Sequence, residues 1–374
     1  MSQRRRAVGG LVKQHIVVLT AFVAAVCSSF AVAPDHEYWD YFETRTLMSL
    51  FCAMAVIYAL DNLGVLSALA NRVVRRFRTR RWLILGLVWA TAVWAMLVSN
   101  DMALLTFLPL TYLALDATGN RRYLAFAFIM ETAAANLGGM ITPFGSPQNL
   151  FLYSYFEIPT PEFFGVMAIP FVGSMLVITG ICLLVGDEPI RAVEADGAFR
   201  RWPTLAYVGL FVLTAAIVFR IAPVWVGFVV PAALLVLDRS ALVKLDYGLL
   251  LTFVFFFIFS GNLARVESIN TALSDVMQGN VLLWSTLGSQ VISNVPAAIL
   301  LAQFTEDYRQ LLVGVNIGGV GTIVGSLASL IALSKYRQYE PGRTGSFFAL
   351  FTVVNVGLLL FLFALTSLAF ALGL

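Results

Sequence analysis

The chain has 374 residues, of which 60% are hydrophobic and 12% charged, and its mean hydropathy is +0.86. That balance lies outside the usual range of soluble globular domains, and a net charge of +3 with no basic, aromatic-interleaved surface gives nucleic acid nothing to hold. Apolar runs of about twenty residues recur, the length an α-helix needs to cross roughly 30 Å of hydrocarbon, whereas a β-barrel would show weak alternation.

Arg4, Arg5, Arg6 and Lys13 precede the first apolar run, His15 to Ala33, whose Ala31-Val32-Ala33 end resembles a signal cleavage site. At 19 residues it exceeds the usual apolar core of a signal, and a retained helix is expected. The acidic loop after it, with Asp35, Glu37, Asp40 and Glu43, is expected outside. The second span, Thr46 to Ala70, carries Asp61-Asn62 in its interior and leads into Arg72, Arg75, Arg76, Arg78, Arg80 and Arg81, which belong in the cytoplasm. The next 34 residues, Trp82 to Leu115, would measure about 51 Å as one helix, too long for one straight crossing. Ser99-Asn100-Asp101 interrupts that run into arms of 17 and 14 residues, short for full spans, and both flanks are basic because Arg121 and Arg122 follow. A re-entrant hairpin over 82–115, entering from the cytoplasm and turning at Ser99-Asn100-Asp101, satisfies both facts. A broken helix over 123–156 follows, its second half opening with Ser146 as N-cap and Pro147 at the first helical position. Glu157 and Glu162 mark an outside loop, and Phe164 to Gly186 brings the chain back to a linker with Arg191, Arg200 and Arg201.

The order of elements then repeats. A cytoplasmic linker and connecting helix fill 187–223, with a crossing from Thr204 to Phe219, then Val224 to Leu237 inward and Tyr247 to Ala264 outward, Asn262 sitting as Asn62 does. Val281 to Phe304, centred on Ser293-Asn294, is 24 residues and by length alone fits one tilted helix of about 36 Å. Loop charge argues for a hairpin over 281–304 entering from outside, because a single crossing would put Lys335, Arg337 and Arg343 outside. A second broken helix then covers 310–336. All but four of the 24 Lys and Arg residues, namely Arg45, Arg220, Arg265 and Arg309, fall on the cytoplasmic side. One hairpin opens inward and the other outward, so 1–186 and 224–374 form two inverted-topology repeats. The expected fold is an all-α polytopic membrane protein with nine crossings, two re-entrant hairpins and two broken helices, N-terminus cytoplasmic and C-terminus outside.

The two breaks nearly repeat each other. Asn136-Leu137-Gly138-Gly139-Met140-Ile141-Thr142-Pro143-Phe144-Gly145-Ser146 and Asn316-Ile317-Gly318-Gly319-Val320-Gly321-Thr322-Ile323-Val324-Gly325-Ser326 agree at six of eleven positions. Glycines and hydroxyl residues inside apolar runs leave freed backbone groups, tolerable at membrane depth only against protein or a watery cavity, so two matching breaks point to one central site. The polar side chains there also suit interhelical hydrogen bonding, and the glycines close packing; their symmetric pairing and the added hydroxyls of Thr142, Ser146, Thr322 and Ser326 favour binding. Unwound carbonyls hold cations while helix N-termini hold anions, so the architecture serves both.

Ser99-Asn100-Asp101 with Ser293-Asn294-Val295-Pro296, and the two Asn-x-Gly-Gly segments with Gly145-Ser146-Pro147-Gln148-Asn149, resemble the ion transporter superfamily. That group includes arsenite permeases, NhaD-type sodium/proton antiporters, citrate transporters and divalent anion/sodium symporters. The likeness covers nearly the whole chain and is strongest to bacterial citrate-transporter-like anion permeases. In the symporter relatives two Ser-Asn-Thr hairpin tips and the broken-helix loops bind sodium and the anion's carboxylates. The resemblance therefore implies a site from Ser99, Asn100, Asp101, Asn136, Gly138, Gly139, Thr142, Gly145, Ser146 and Asn149 with Ser293, Asn294, Asn316, Gly318, Gly319, Thr322 and Ser326. Asp101 and Val295 stand where the symporters have Thr, and the Asn-Asp pair at the first tip looks more like arsenite permeases. Such relatives are often homodimers that move substrate by an elevator-like motion.

Asp61, Asp101 and Glu131 are expected at membrane depth without a basic partner, where a charged carboxylate costs at least about 2–3 kcal/mol, so proton or cation coupling is their expected role beside that of a protonated, hydrogen-bonded structural acid. Asp101, in place of a neutral hydroxyl, favours protons. Cys27, Cys52 and Cys182 are isolated, His15 and His36 lie at the first helix's start and in the adjoining loop, and neither His-Glu-x-x-His, Gly-x-Ser-x-Gly nor a Walker A sequence occurs. No metal site, cofactor or enzymatic activity is expected. The expected function is secondary active transport of a small carboxylate or oxyanion across a bacterial inner membrane by alternating access, coupled to H⁺ or Na⁺; a Na⁺/H⁺ antiporter or a channel of the same fold is the alternative.

Overall fold

The computed structural model describes residues 16–65, 68, 72, 76–190 and 201–373, and its regular elements there are all helical apart from one isolated antiparallel bridge between Thr79 and Pro189. The expected start of the first helix at His15, the residues Arg4 to Arg6, Lys13 and Arg75, and the linker around Arg191 and Arg200 lie outside the described residues. Thr44–Asn62, Arg80–Leu97, Thr160–Leu183, Tyr247–Arg265 and Pro341–Ala371 are long and apolar enough to cross a membrane. The shorter apolar helices include both arms of the second hairpin, Val281–Ile292 and Asn294–Phe304. The protein is an all-α polytopic membrane protein.

The first hairpin consists of Arg80–Leu97 and Asn100–Ala117, joined at Val98 and Ser99, with the Ser99 hydroxyl accepting the Met102 N–H at 3.4 Å. Its arms have 18 residues each, longer than the apolar run implies. The extension has a physical cause at the base. Arg80 is buried, donates to Glu188 at 2.6 Å and to the Gly186 carbonyl at 2.8 Å, and lies 4.4 Å over the Tyr123 ring, so its charge is satisfied inside the bundle. It also reaches Asn120, which ties the two ends of the hairpin together on one face. The second hairpin, Val281–Ile292 and Asn294–Leu301 followed by the turn Ala302–Phe304, bends at Ser293 with φ +75°, a backbone that costs a non-glycine residue on the order of 1–3 kcal/mol.

The broken helices are Leu124–Gly139 with Pro147–Tyr155, and Tyr308–Ile317 with Leu327–Tyr339. Arg121, just ahead of the first, pairs with Glu340, just beyond the second, at 2.5 Å. Arg309, at the head of the second, pairs with Glu162, beyond the first, also at 2.5 Å. The two broken helices therefore run antiparallel, clamped at both ends, and the hairpins enter from opposite faces. This is the inverted arrangement expected from loop charge.

The largest core gathers both hairpins, both broken helices, Thr160–Leu183 and the last helix, Thr344–Ala371. A smaller core joins Cys52, Val56 and Leu60 to Tyr207, Val230, Leu234 and Ala241. Cys52 and Cys182 are buried free thiols that pack with these cores.

Three expectations need correction. The second span is Thr44–Asn62 rather than Thr46 to Ala70: the helix ends at a turn where Gly64 has φ +71°, a conformation glycine adopts freely. Asp61-Asn62 thus sits at the end of the span, not in its interior. Val224 to Leu237 opens as the 3-10 turn Val224–Phe228 before the helix Val229–Leu237. An amphipathic helix, Glu267–Gly279, links Tyr247–Arg265 to the second hairpin where none was expected.

Candidate functional site

Each hairpin tip is sewn onto one break by the same bonds. The Asn100 N–H donates to the Gly145 carbonyl at 3.0 Å, and the Asn294 N–H to the Gly325 carbonyl at 3.0 Å. Each Asn side-chain oxygen accepts the next N–H, from Asp101 at 3.0 Å and from Val295 at 2.9 Å. Thr142 donates to the Met96 carbonyl at 2.6 Å and Thr322 to the Gln290 carbonyl at 3.1 Å, closing the arm that leads into each tip. These two hydroxyls are spent on backbone acceptors freed by the hairpin turns. The first break requires glycine because its backbone folds onto itself: a Cβ on Gly145 would lie 1.8 Å from the Gly139 carbonyl oxygen. Gly138 and Gly318 instead let the helices approach Ala92 and Ser289.

The two breaks are then joined to each other. Asn100 donates to the Asn136 oxygen at 2.9 Å, and Asn136 donates across the repeats to Ser326 at 2.9 Å and the Gly319 carbonyl at 3.2 Å. In return Asn316 donates to Asn149 at 2.6 Å and accepts from Gln148 at 3.3 Å. Asn149 secures the first break through the Met140 and Thr142 carbonyls, and Gln290 the second through the Gly318 and Val320 carbonyls. Gln148 and Gln290 were not singled out from the sequence. Gln148 lies inside the Gly145-to-Asn149 motif, and Gln290 lies three residues before Ser293, one helical turn from the tip, which was the available signal.

A cavity of about 110 Å³ opens beside the first tip, where Ser99, Asp101 and Ser146 meet Tyr58 of Thr44–Asn62 and Asp246 at the head of Tyr247–Arg265. Much of the rest of its wall is apolar, and no Lys, Arg or His lines it among the described residues. Two buried oxygens at its polar end, Asp101 Oδ1 and Ser146 Oγ, have no hydrogen-bond partner, and neither has Gln148 Oε1. Unpartnered buried acceptors are rare enough to call for an explanation, and a ligand or water supplies one. The helices starting at Asn100, Pro147, Tyr247 and Leu327 present their N-terminal ends here, so the positive ends of four peptide dipoles face the same space. Larger hollows elsewhere are surface clefts; in the one at Asn280 and Asp307 both side chains are occupied capping helices.

Of the residues expected at the site, Ser99, Asp101 and Ser146 line this cavity, while Asn100, Asn136, Asn149, Asn294, Asn316 and Ser326 form the hydrogen-bonded joint around it. Glu131 is buried elsewhere between the first hairpin and the first broken helix, where its Oε1 accepts from Thr111 at 2.6 Å and its Oε2 has no partner. Asp61 is exposed; its neighbour Asn62 bonds Asp238 and Lys244. Tyr58 and Asp246 were missed because helices distant in sequence bring them to the cavity, although Asp246 immediately precedes an apolar run.

Inverted repeats whose re-entrant tips dock on two crossed, interrupted helices define a membrane transporter. The chain belongs to the citrate transporter family (CitMHS), which matches residues 8–307. It is 32% identical to an uncharacterized transporter of Methanocaldococcus jannaschii, MJ0456, over 304 residues, covering 79% of this chain and 82% of that protein. It is also 32% identical to the inner membrane protein YbiR of Escherichia coli over 301 residues, covering 77% and 79% respectively. The fold matches the crystal structure of the YdaH transporter of Alcanivorax borkumensis, described as having an unusual topology, with a TM-score of 0.57 at 12% identity over 96% of this chain and 97% of that one.

Proposed function

We propose that the protein is a secondary active transporter that carries a small carboxylate or oxyanion together with protons across the cytoplasmic membrane of a bacterium by alternating access. The Arg-rich face is the cytoplasmic one, with the C-terminus outside. One observation carries this reading. The cavity sets helix N-termini and the unpartnered Ser146 hydroxyl beside Asp101, with no cationic side chain among the described residues to balance the carboxylate. An anion drawn to the N-termini would meet a like charge at Asp101 unless a proton or metal cation arrived with it. Coupling thus follows from charge balance inside one cavity. The cavity lies between the large core and the Thr44–Asn62 helix of the small one, the place where a moving bundle would slide against a fixed frame. The family's name makes citrate the first substrate to try.

The test is uptake of labelled citrate, other di- and tricarboxylates and arsenite or phosphate into proteoliposomes under imposed pH or Na⁺ gradients. Wild-type protein should accumulate one of them with the proton gradient. Asp101→Asn, which keeps shape but cannot titrate, should lose accumulation while retaining substrate exchange. Accumulation by the Asn variant that still follows the pH gradient removes Asp101 as the carrier and passes the test to Glu131. The acidic lining also favours a second reading, Na⁺/H⁺ antiport, under which a Na⁺ gradient moves protons with no anion present.

A further inference from the structure

Asp246 is the one other carboxylate on the cavity wall, and the first reading of the site leaves it without a task. It stands at the N-cap of Tyr247–Arg265, where its Oδ1 accepts the Leu249 N–H at 3.1 Å, and its side chain is exposed. Its end of the helix is the Arg-rich face, because Asn62 at the end of the second span bonds Asp238, Ser240 and Lys244 just before it. Asp101 lines the same cavity with a buried, unpartnered oxygen. Tyr58 also lines the cavity, within electrostatic reach of both carboxylates and of Asp61. The volume of about 110 Å³ far exceeds the roughly 15 Å³ that one water needs by the same measure.

We propose that Asp246 is the proton-exchange residue at the mouth of the coupling path, passing protons between solvent on the Arg-rich face and Asp101 through Tyr58 and cavity water. The proposal rests on the proton-coupled reading above. Each step moves one proton between oxygens: hydronium protonates the Asp246 carboxylate, Asp246 passes a proton to water or the Tyr58 hydroxyl as that group releases its own, and Asp101 receives it. No other bond changes. The titratable groups within electrostatic reach of Asp246 are Tyr58 on the second span and Asp101 on the hairpin tip, with Asp61 near Tyr58 and Lys244 near Asp61; the second broken helix contributes only Leu327 and Ile331 to the cavity, and the first only Ser146, Pro147 and Leu150 beyond Phe144. A permanent positive charge is absent from the wall among the described residues, so the path is acidic from end to end.

The experiment follows Asp101 itself and needs no substrate. The full chain in lipid nanodiscs is subjected to a pH jump, and the infrared band of the protonated Asp101 carboxyl, assigned by its loss in Asp101→Asn, is recorded in time. Asp246→Asn keeps a helix cap of equal quality, so folding is preserved. It should slow the Asp101 response by about 100-fold, the lower end of what a positioned proton carrier supplies, without changing the final amplitude. Asp246→Glu should restore the rate. A wild-type rate in Asp246→Asn, or a slow rate that Glu does not restore, overturns the role of Asp246 and leaves proton coupling standing. Absence of any pH-dependent band that Asp101→Asn removes would sink the proton-coupled reading as well.

Discussion

At the first tip Asn100 reaches across to Asn136, Ser146 is left without a hydrogen-bond partner, and Asp101 faces a cavity. At the second tip Ser326 is bonded to Asn136 and Ser329, and an apolar Val295 stands in the place of Asp101, although the Asn oxygen accepts the next N–H at both tips. The backbone frame is nevertheless the same: each tip N–H docks on the last glycine of a break, and each break threonine closes the preceding arm. Duplication has kept the scaffold, whose bonds are made by backbone and so tolerate sequence change. Of the two tips, only the first carries an ionisable residue. A carboxylate at the second tip as well would cost at least about 2–3 kcal/mol more at membrane depth.

The sharpest way to break the comparison is to add one methyl group to each half. A Cβ on Gly145 would lie 1.8 Å from the Gly139 carbonyl oxygen, backbone against backbone, while one on Gly325 would lie 2.9 Å from the Gly318 carbonyl oxygen. Gly145→Ala should destabilise by upwards of about 4 kcal/mol, enough to leave little folded protein, because neither partner can swing aside. Gly325→Ala should cost about 1–3 kcal/mol and remain folded. Thermal unfolding of the detergent-solubilised variants measures both, and equal losses would show that the two breaks are packed alike.

The next effect separates the joint from its local copy. Asn136 and Asn294 are equally buried, each 3% exposed. Asn136→Ala strands Asn100 Nδ2, and takes a donor from Ser326 and from the Gly319 carbonyl, at about 1–3 kcal/mol for each buried group left unpaired. Asn294→Ala removes the bond to Val295, worth about 1 kcal/mol. Transport should vanish in the first variant and persist in the second; persistence in both would confine Asn136 to packing.

Hairpins, breaks and inversion were legible in the sequence because run length and Lys/Arg placement report directly on membrane crossing. The pairings across the repeats were not, since Asn136 with Ser326 and Asn316 with Asn149 depend on how two antiparallel helices cross. Asp61 was misplaced for a definite reason: the apolar run continues past Gly64, and hydropathy does not register that its backbone turns with φ +71°. The helix Glu267–Gly279 carries its own signal in the sequence, with Ile269, Ala272, Leu273 and Val276 at helical spacing. Tyr58 and Asp246 needed the meeting of two separate cores, a fact of tertiary packing.

The smallest expected effect distinguishes the two end clamps, each of which makes one ion pair across the repeats, Arg121 adding a second to Asp116 at 3.4 Å. Both are partly exposed to solvent, Arg121 by 45% and Arg309 by 58% of the side chain, so screening keeps each pair weak. Their surroundings differ. Arg121 also donates to the Tyr339 carbonyl at 3.0 Å and lies 5.3 Å over the Tyr112 ring, which itself stacks on Tyr339 at 4.0 Å. Arg309 shares its single carboxylate, Glu162, with the Tyr308 hydroxyl, which keeps a bond to Glu162 when the arginine is removed. Arg121→Ala should therefore lower the unfolding temperature more than Arg309→Ala. High salt should close only the ion-pair part of the gap, because the stacking and the carbonyl bond are not screened as a surface charge pair is. If 1 M salt made the two variants equal, the aromatic and carbonyl contacts at Arg121 would contribute nothing, and the clamps would be as symmetric in energy as they are in topology.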